Sequence, residues 1–269
     1  MKIVDIDKLF ENHVKKYVKE NGKNVKPEQI EEMIGRLYES FAKEALIELD
    51  GLSAEEYYKG FDAQTLANGL KEHIESGVPV PEYLCEAIVN QKEDKYLINL
   101  LDSTNEELLT YTINILSEIG SKNATNKYLQ ILAEKSVSEP VMELITETLC
   151  ETPDEAKEVA LRLIQNAEET EKLYYIEILS RCQKDDRILP ILVSAFRQNP
   201  DQMPLYAQYL SRYGDAGALS VLYEAIESDI INYLDFKELK MAIESLGGEY
   251  TKQRDFTKDP IYKKLNQTS

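Results

Sequence analysis

Arg187-Ile188-Leu189-Pro190-Ile191-Leu192-Val193-Ser194-Ala195-Phe196, then Asn199-Pro200-Asp201, then Tyr206-Ala207-Gln208-Tyr209-Leu210-Ser211-Arg212-Tyr213-Gly214-Asp215 holds one structural period of this chain. The first ten residues form an amphipathic helix, the Asn-Pro pair breaks it, and a second helix follows. In that second helix Leu210 has small Ala207 three residues before it, polar Gln208 two before and small Ser211 one after. If this arrangement is a repeat, each of those columns must recur elsewhere.

They do recur. Moving outward from Leu210, equivalent anchors are Leu179, Leu149, Leu116 and Ile88 on one side and Leu246 on the other, at spacings of 31, 30, 33, 28 and 36 residues. One residue after the anchor stand Val89, Ser117, Cys150, Ser180, Ser211 and Gly247, all small or β-branched. Three before it stand Cys85, Ile113, Thr146, Ile176, Ala207 and Ile243. Two before it stand Glu86, Asn114, Glu147, Glu177, Gln208 and Glu244, polar in every case. A column that stays polar between apolar neighbours is what a solvent-facing helix stripe requires. After each anchor helix comes a break and a second amphipathic helix: Lys95 to Leu101, Asn126 to Ala133, Glu155 to Ile164, Arg187 to Phe196 and Ala218 to Ile226. Thr152-Pro153-Asp154-Glu155 predicts a capping box with proline at the first helical position, and Ser138-Glu139-Pro140 another start.

Before the repeats the pattern is of single helices. Ile6, Leu9, Phe10, Val14 and Tyr17 follow helical spacing, with Asn21-Gly22 as a stop. From Pro27 the set Ile30, Met33, Ile34, Leu37, Tyr38 and Phe41 makes one stripe, with Glu28 and Glu32 suiting the positive end of the helix. Asp50-Gly51 predicts a turn, Ser53 with Glu56 a capping box, and Leu66, Leu70 and Ile74 a helix ending near Gly77. Val78-Pro79-Val80-Pro81 is not helical, since each proline pushes its predecessor out of the α region. The expected organisation is a helical cap over residues 1–76, repeats over 81–250 and a polar basic tail over 251–269. The fold expected is all-α, a solenoid of stacked antiparallel helix pairs, because one pair cannot bury its apolar face without a neighbour.

The stretch quoted above resembles a HEAT repeat, as does Leu109 to Gly120, which ends Ile115-Leu116-Ser117-Glu118-Ile119-Gly120. The resemblance is at the superfamily level, HEAT or armadillo type, over about residues 81–250. TPR-like stacking also has this period, but its tryptophan and Gly-Tyr signature is missing, and Trp is absent from the chain. The resemblance implies that the second helix of each pair lines a concave face. Residues four apart share a helix face, so two ladders run there: Asn114, Glu147, Glu177 and Gln208, and beside them Glu118, Glu151, Arg181 and Arg212. The groove is acidic early and mixed later.

Composition agrees with an acidic groove. Forty-nine acids against 31 bases give a formal charge of −18, and residues 101–180 hold sixteen acids and six bases, a net of −10. So negative a chain is repelled by nucleic-acid phosphates and anionic lipid, and suits a basic protein segment. Met1-Lys2-Ile3-Val4-Asp5-Ile6-Asp7 carries acids where an export signal needs an apolar run, and uncharged stretches stop at ten residues, so the expectation is a cytoplasmic protein without a membrane span. Three widely separated cysteines, Cys85, Cys150 and Cys182, read as reduced core thiols within helical patterns.

Catalytic signatures are missing: no phosphate loop, GxGxxG, GxSxG or HExxH occurs, and His13 and His73 lie apart as partly exposed helix residues. No metal or other cofactor is expected. Tyr174, Tyr175, Tyr206, Tyr209, Tyr213 and Tyr223 cluster in two repeats, and Tyr175 and Tyr206 share a column with Ile145, which argues that they face inward. Lys252, Arg254, Lys258, Lys263 and Lys264 make the tail basic, suggesting that it docks on an acidic surface of its own chain or a neighbour, with Asp259-Pro260 capping a short helix. The function expected is a non-enzymatic scaffold that binds a protein or peptide of basic character. The alternatives are a HEAT-like enzyme using carboxylates, such as a base-modifying enzyme or lyase, and a structural module of a larger assembly.

Overall fold

The computed structural model describes residues 1–21 and 27–267, with the side chains of residues 21–32 and 265–267 also outside the description. The stop at Asn21-Gly22 and the side chains of Glu28, Ile30 and Glu32 therefore lie outside the described residues. The protein is all-helical. Two compact units are present: Met1–Lys127 with Val137–Leu144, and Tyr128–Ser136 with Ile145–Ser269. Among the described residues the one β pairing is an isolated bridge, Leu46 with Leu52, and no helix is long and apolar enough to cross a membrane.

The first unit contains α1 (Ile6–Asn21), α2 (Pro27–Phe41), α3 (Ala54–Lys59), α4 (Ala63–Glu75), α5 (Glu82–Gln91), α6 (Lys95–Leu100) and α7 (Glu106–Ile119). Asp50 and Gly51 both take positive φ at the expected turn. The Ser53–Glu56 capping box forms, and α4 buries Leu66, Leu70 and Ile74 as the spacing predicts. Asn105 caps α7 by accepting from the Glu107 and Leu108 N–H groups, and Gly120 ends it at φ 72°. The Val78–Pro81 segment is a non-helical connector across which packing continues, α4 meeting α5, α6 and α7.

The division between units falls within α8 (Thr125–Glu134) and α9 (Glu139–Glu151). The second unit continues with α10 (Pro153–Leu163), α11 (Glu169–Leu179), α12 (Ile188–Gln198), α13 (Met203–Tyr213), α14 (Leu219–Ile226), α15 (Tyr233–Ser245) and α16 (Pro260–Gln267). Five second helices thus fall where the sequence puts them. The partnering is different. Of their two neighbours in sequence, α11, α13 and α15 each pack more on the helix before, α10 with α11, α12 with α13 and α14 with α15, than on the one after, and the most extensive packing is between the anchors α13 and α15. The tight 3₁₀ turn Pro200–Gln202 explains one such pair, folding α13 straight back onto α12. Anchor helices also meet one another, α11 with α13 and α13 with α15.

Burial tests the columns. Ile88, Leu116, Leu149, Leu179 and Leu210 are buried, and the column two before is exposed except for half-buried Glu177. Leu246 is a correction. It lies past the end of α15 and is half-exposed, while Ile243, three residues earlier, is fully buried. The capping box at Thr152 is another. Pro153 does open α10, but the Thr152 side chain makes no cap bond, because its ψ of 59° turns the hydroxyl away from the first-turn N–H groups. Asp154 instead accepts from the Gln183 N–H at 3.1 Å. Cys182 lies in the bend after α11, not within a helix.

Candidate functional site

In the first unit the acidic side chains gather on α5 and α7. Glu82, Glu86, Asn114 and Glu118 are exposed. Half-buried Cys85 between them senses the result: burial pushes its thiol up to about 11, and Glu118, Glu82 and Glu86 all push in the same direction. Beside this face is a cleft of about 470 Å³ lined by Glu55 and Lys59 of α3 and Tyr83, Glu86, Ala87, Asn90 and Gln91 of α5. Lys59 is committed to Glu55 at 2.9 Å and the Gln91 amide nitrogen to the Phe61 carbonyl at 2.8 Å, which leaves Glu86, the Asn90 amide, the Gln91 amide oxygen and the Tyr83 ring to face a ligand. Glu86 belongs to the polar column read from sequence. Glu55 and Tyr83 were missed there because they come from different elements with no shared spacing.

The second unit carries the rest of the two ladders. Glu147 and Glu151 are exposed on α9, Gln208 and Arg212 on α13, and Arg181 just past α11. Glu177 is held between two guanidinium groups, Arg181 at 3.4 Å and Arg212 at 3.7 Å. Arg212 also lies over the Tyr209 ring, 5.6 Å from its centroid, and Gln208 donates to Glu238 at 3.2 Å. Cys150 reads this mixed field. Burial pushes its thiol up to about 12, Arg181 and Arg212 pull it down, and Glu177 and Glu147 push it up. The ladders here are cross-linked instead of standing side by side.

Polar bonds between elements recur at one period. Gln91 donates to the Phe61 carbonyl, Ser121 to Asp94 and Ser138 to Glu106, at sequence separations of 30, 27 and 32. In the second unit Arg187 donates to Glu158, Tyr213 to the Asp185 carbonyl and Gln208 to Glu238, at separations of 29, 28 and 30. The inward reading of the tyrosines holds, since Tyr175, Tyr206, Tyr209 and Tyr213 are buried.

A scan against protein-family models gives no match, and searches of curated proteins and of solved structures give no significant match.

The histidines separate. His13 is half-exposed and pairs with Glu44 at 2.9 Å. His73 departs from expectation: it is fully buried, its Nδ1–H donates to the Pro79 carbonyl at 2.9 Å, and its Nε2 has no protein partner. Among the described residues no group of three or more His, Cys, Asp and Glu side chains converges as metal ligands would.

The C-terminal segment makes a second surface. Glu238 and Ser245 of α15 meet α13, Ser245 through a 2.6 Å contact to Ser211. On another face of α15, Tyr233 and Phe236 take the tail, with Phe236 5.1 Å from Phe256 and 5.9 Å from Tyr250, and Tyr233 4.9 Å from Tyr262. Lys252 and Tyr250 both donate to Glu227, at 2.6 and 3.2 Å, and Arg254 donates to the Ser228 carbonyl at 2.6 Å. Asp259 caps α16 by accepting from the Ile261 and Tyr262 N–H groups and also takes the Tyr233 N–H at 2.8 Å. Charge contrast was the sequence signal for this docking, but apolar burial is the larger contribution. A buried aromatic side chain such as Phe256 brings about 1.5–3 kcal/mol, whereas the exposed Lys252–Glu227 pair is screened by water and salt.

Proposed function

We propose that this chain is a non-enzymatic protein-interaction scaffold, a HEAT-type solenoid that takes a basic segment of a partner on the acidic face of α5 and α7. The observation that carries the reading is that face: Glu82, Glu86 and Glu118 act together on Cys85 beside an open cleft with an aromatic wall. A lysine or arginine side chain entering the cleft meets the Glu86 carboxylate, the Asn90 and Gln91 amides and the Tyr83 ring, a setting in which cation–π attraction adds to charge. The solenoid reading is supported by polar bonds that recur one period apart within each unit and by anchor helices packing on anchor helices. Of the ladder residues, Asn114 and Glu118 belong to this face. Glu147 and Glu151 add acidity in the second unit, while Arg181 and Arg212 offset Glu177 there and weaken its pull on a cation.

The test is fluorescence anisotropy with a labelled arginine-rich nonapeptide. Glu86→Lys combined with Glu118→Lys is expected to weaken binding at least ten-fold, and Glu177→Lys to weaken it less. Affinity should fall steeply with salt. Affinity that ignores the double reversal rejects the face as the binding surface.

A further inference from the structure

The segment after α15 is engaged in a way that helix packing does not explain. From Tyr250 to Phe256 the backbone has no regular structure, and every second side chain is used. Tyr250 and Phe256 are buried, Lys252 is bonded to Glu227, and Arg254 reaches the Ser228 carbonyl, with Asp229 at 4.0 Å. Thr251, Gln253 and Asp255, the residues between, are exposed. Period-two engagement of a non-helical segment matches the way peptide-binding surfaces read side chains, with alternate residues in contact and the others free to vary. The surface itself is built from residues earlier in the chain: Glu227, Ser228 and Asp229 follow α14, and Tyr233 and Phe236 are on α15. The joint that leads into the segment is Gly247-Gly248, the first at φ 82°, a conformation open to glycine. Next to the contact residues Ile230 is 90% exposed, leaving apolar area beyond what the segment covers.

We propose that this surface is a recognition site for an extended segment of another protein carrying aromatic, basic, basic and aromatic side chains at alternate positions, and that the chain's own residues 250–256 occupy it in cis. Glu227 and the Ser228 carbonyl select the two basic side chains, and Tyr233 and Phe236 select the terminal aromatic. The site is separate from the acidic face of α5 and α7 and does not depend on it. Because the tethered segment is always present at high local concentration, a partner must compete with it, so release of the segment opens the site.

The test uses the full chain and a labelled peptide of sequence GYAKARAFG, with GAFRAAKYG as a scrambled control of equal charge. The variant Lys252→Ala with Arg254→Ala removes the tethered segment's bonds to Glu227 and to the Ser228 carbonyl, made by exposed Lys252 and half-buried Arg254. The ordered peptide is expected to bind this variant at least ten-fold tighter than the unaltered chain and at least ten-fold tighter than the scrambled peptide does. Adding Glu227→Lys is expected to remove that binding while circular dichroism stays unchanged. A Phe256→Ala variant gives a second route to release and should behave like the double variant. Equal affinity for the released and unaltered chains, equal affinity for the two peptides, or binding indifferent to Glu227→Lys each overturns the proposal.

Discussion

At the scale of single residues, His73 carries the sharpest consequence. Its ring is fully buried, and burial lowers its pKa from the ordinary 6.5, opposed by the bond to the Pro79 carbonyl and, more weakly, by Glu72 and Asp5. The folded state therefore holds His73 neutral in a pH range where the unfolded chain already protonates it. When the unfolded state binds more protons, stability rises with pH. This contribution is complete above pH 6.5 and is lost as pH falls below it toward the lowered folded value. Urea unfolding at pH 7.5, 6.5 and 5.5 should show decreasing stability, and His73→Leu should flatten that slope even if it lowers stability at pH 7.5 through loss of the Pro79 bond. An unchanged slope in the variant would assign the pH dependence to the carboxylates. The sequence reads His73 as partly exposed, because helical spacing alone does not reveal that the Val78–Pro81 connector comes back over the ring. Tyr175 and Tyr206 were legible as inward-facing because they share a column with Ile145, and all three are buried.

At the scale of elements, two helix starts that look alike in sequence differ in what holds them. Asn232 accepts from the Leu234 and Asp235 N–H groups while Asp235 returns a bond to the Asn232 N–H. Thr152 caps nothing. Asn232→Ala should destabilise the protein by about 0.5–2 kcal/mol, and Thr152→Ala should stay within about 0.5 kcal/mol of the unaltered chain, as surface substitutions away from special features do. Chemical denaturation of the two variants side by side checks this, and a loss at Thr152 equal to that at Asn232 contradicts the cap geometry. The same contrast explains what could be read in advance. Helix positions followed from apolar spacing and breakers, so the five second helices fall within a few residues of where they were placed. Partnering did not follow, because a 3.6-residue period states which face is apolar and not which neighbour covers it. Nor did the tail's mode of docking, since its alternation over Tyr250 to Phe256 is a two-residue period in a chain otherwise read for helices. Of the candidate site, the exposure of the polar column was legible. The pairing of Glu177 with Arg181 has the four-residue spacing of one helix face, but its link to Arg212 was not legible, because it depends on side-chain reach between α11 and α13.

For the whole molecule, the proposed stacking has a consequence for how stability is distributed. If each helix pair rests chiefly on its neighbours, the effect of a core defect decays along the stack instead of spreading through one shared core. Leu210 is the place to create such a defect. It is fully buried in α13, which packs on α12, α11 and α15, so Leu210→Ala removes about 2–5 kcal/mol locally. Amide hydrogen exchange followed by mass spectrometry should then show faster exchange in α11 to α15, while the protected helices α4, α5 and α7 of the first unit keep their rates. The polar bonds quoted above reach about one period along the chain, the range over which they would couple neighbouring helix pairs. Uniform loss of protection in both units would mean that a single cooperative core holds the chain, and the one-period bonds would then be incidental to its stability.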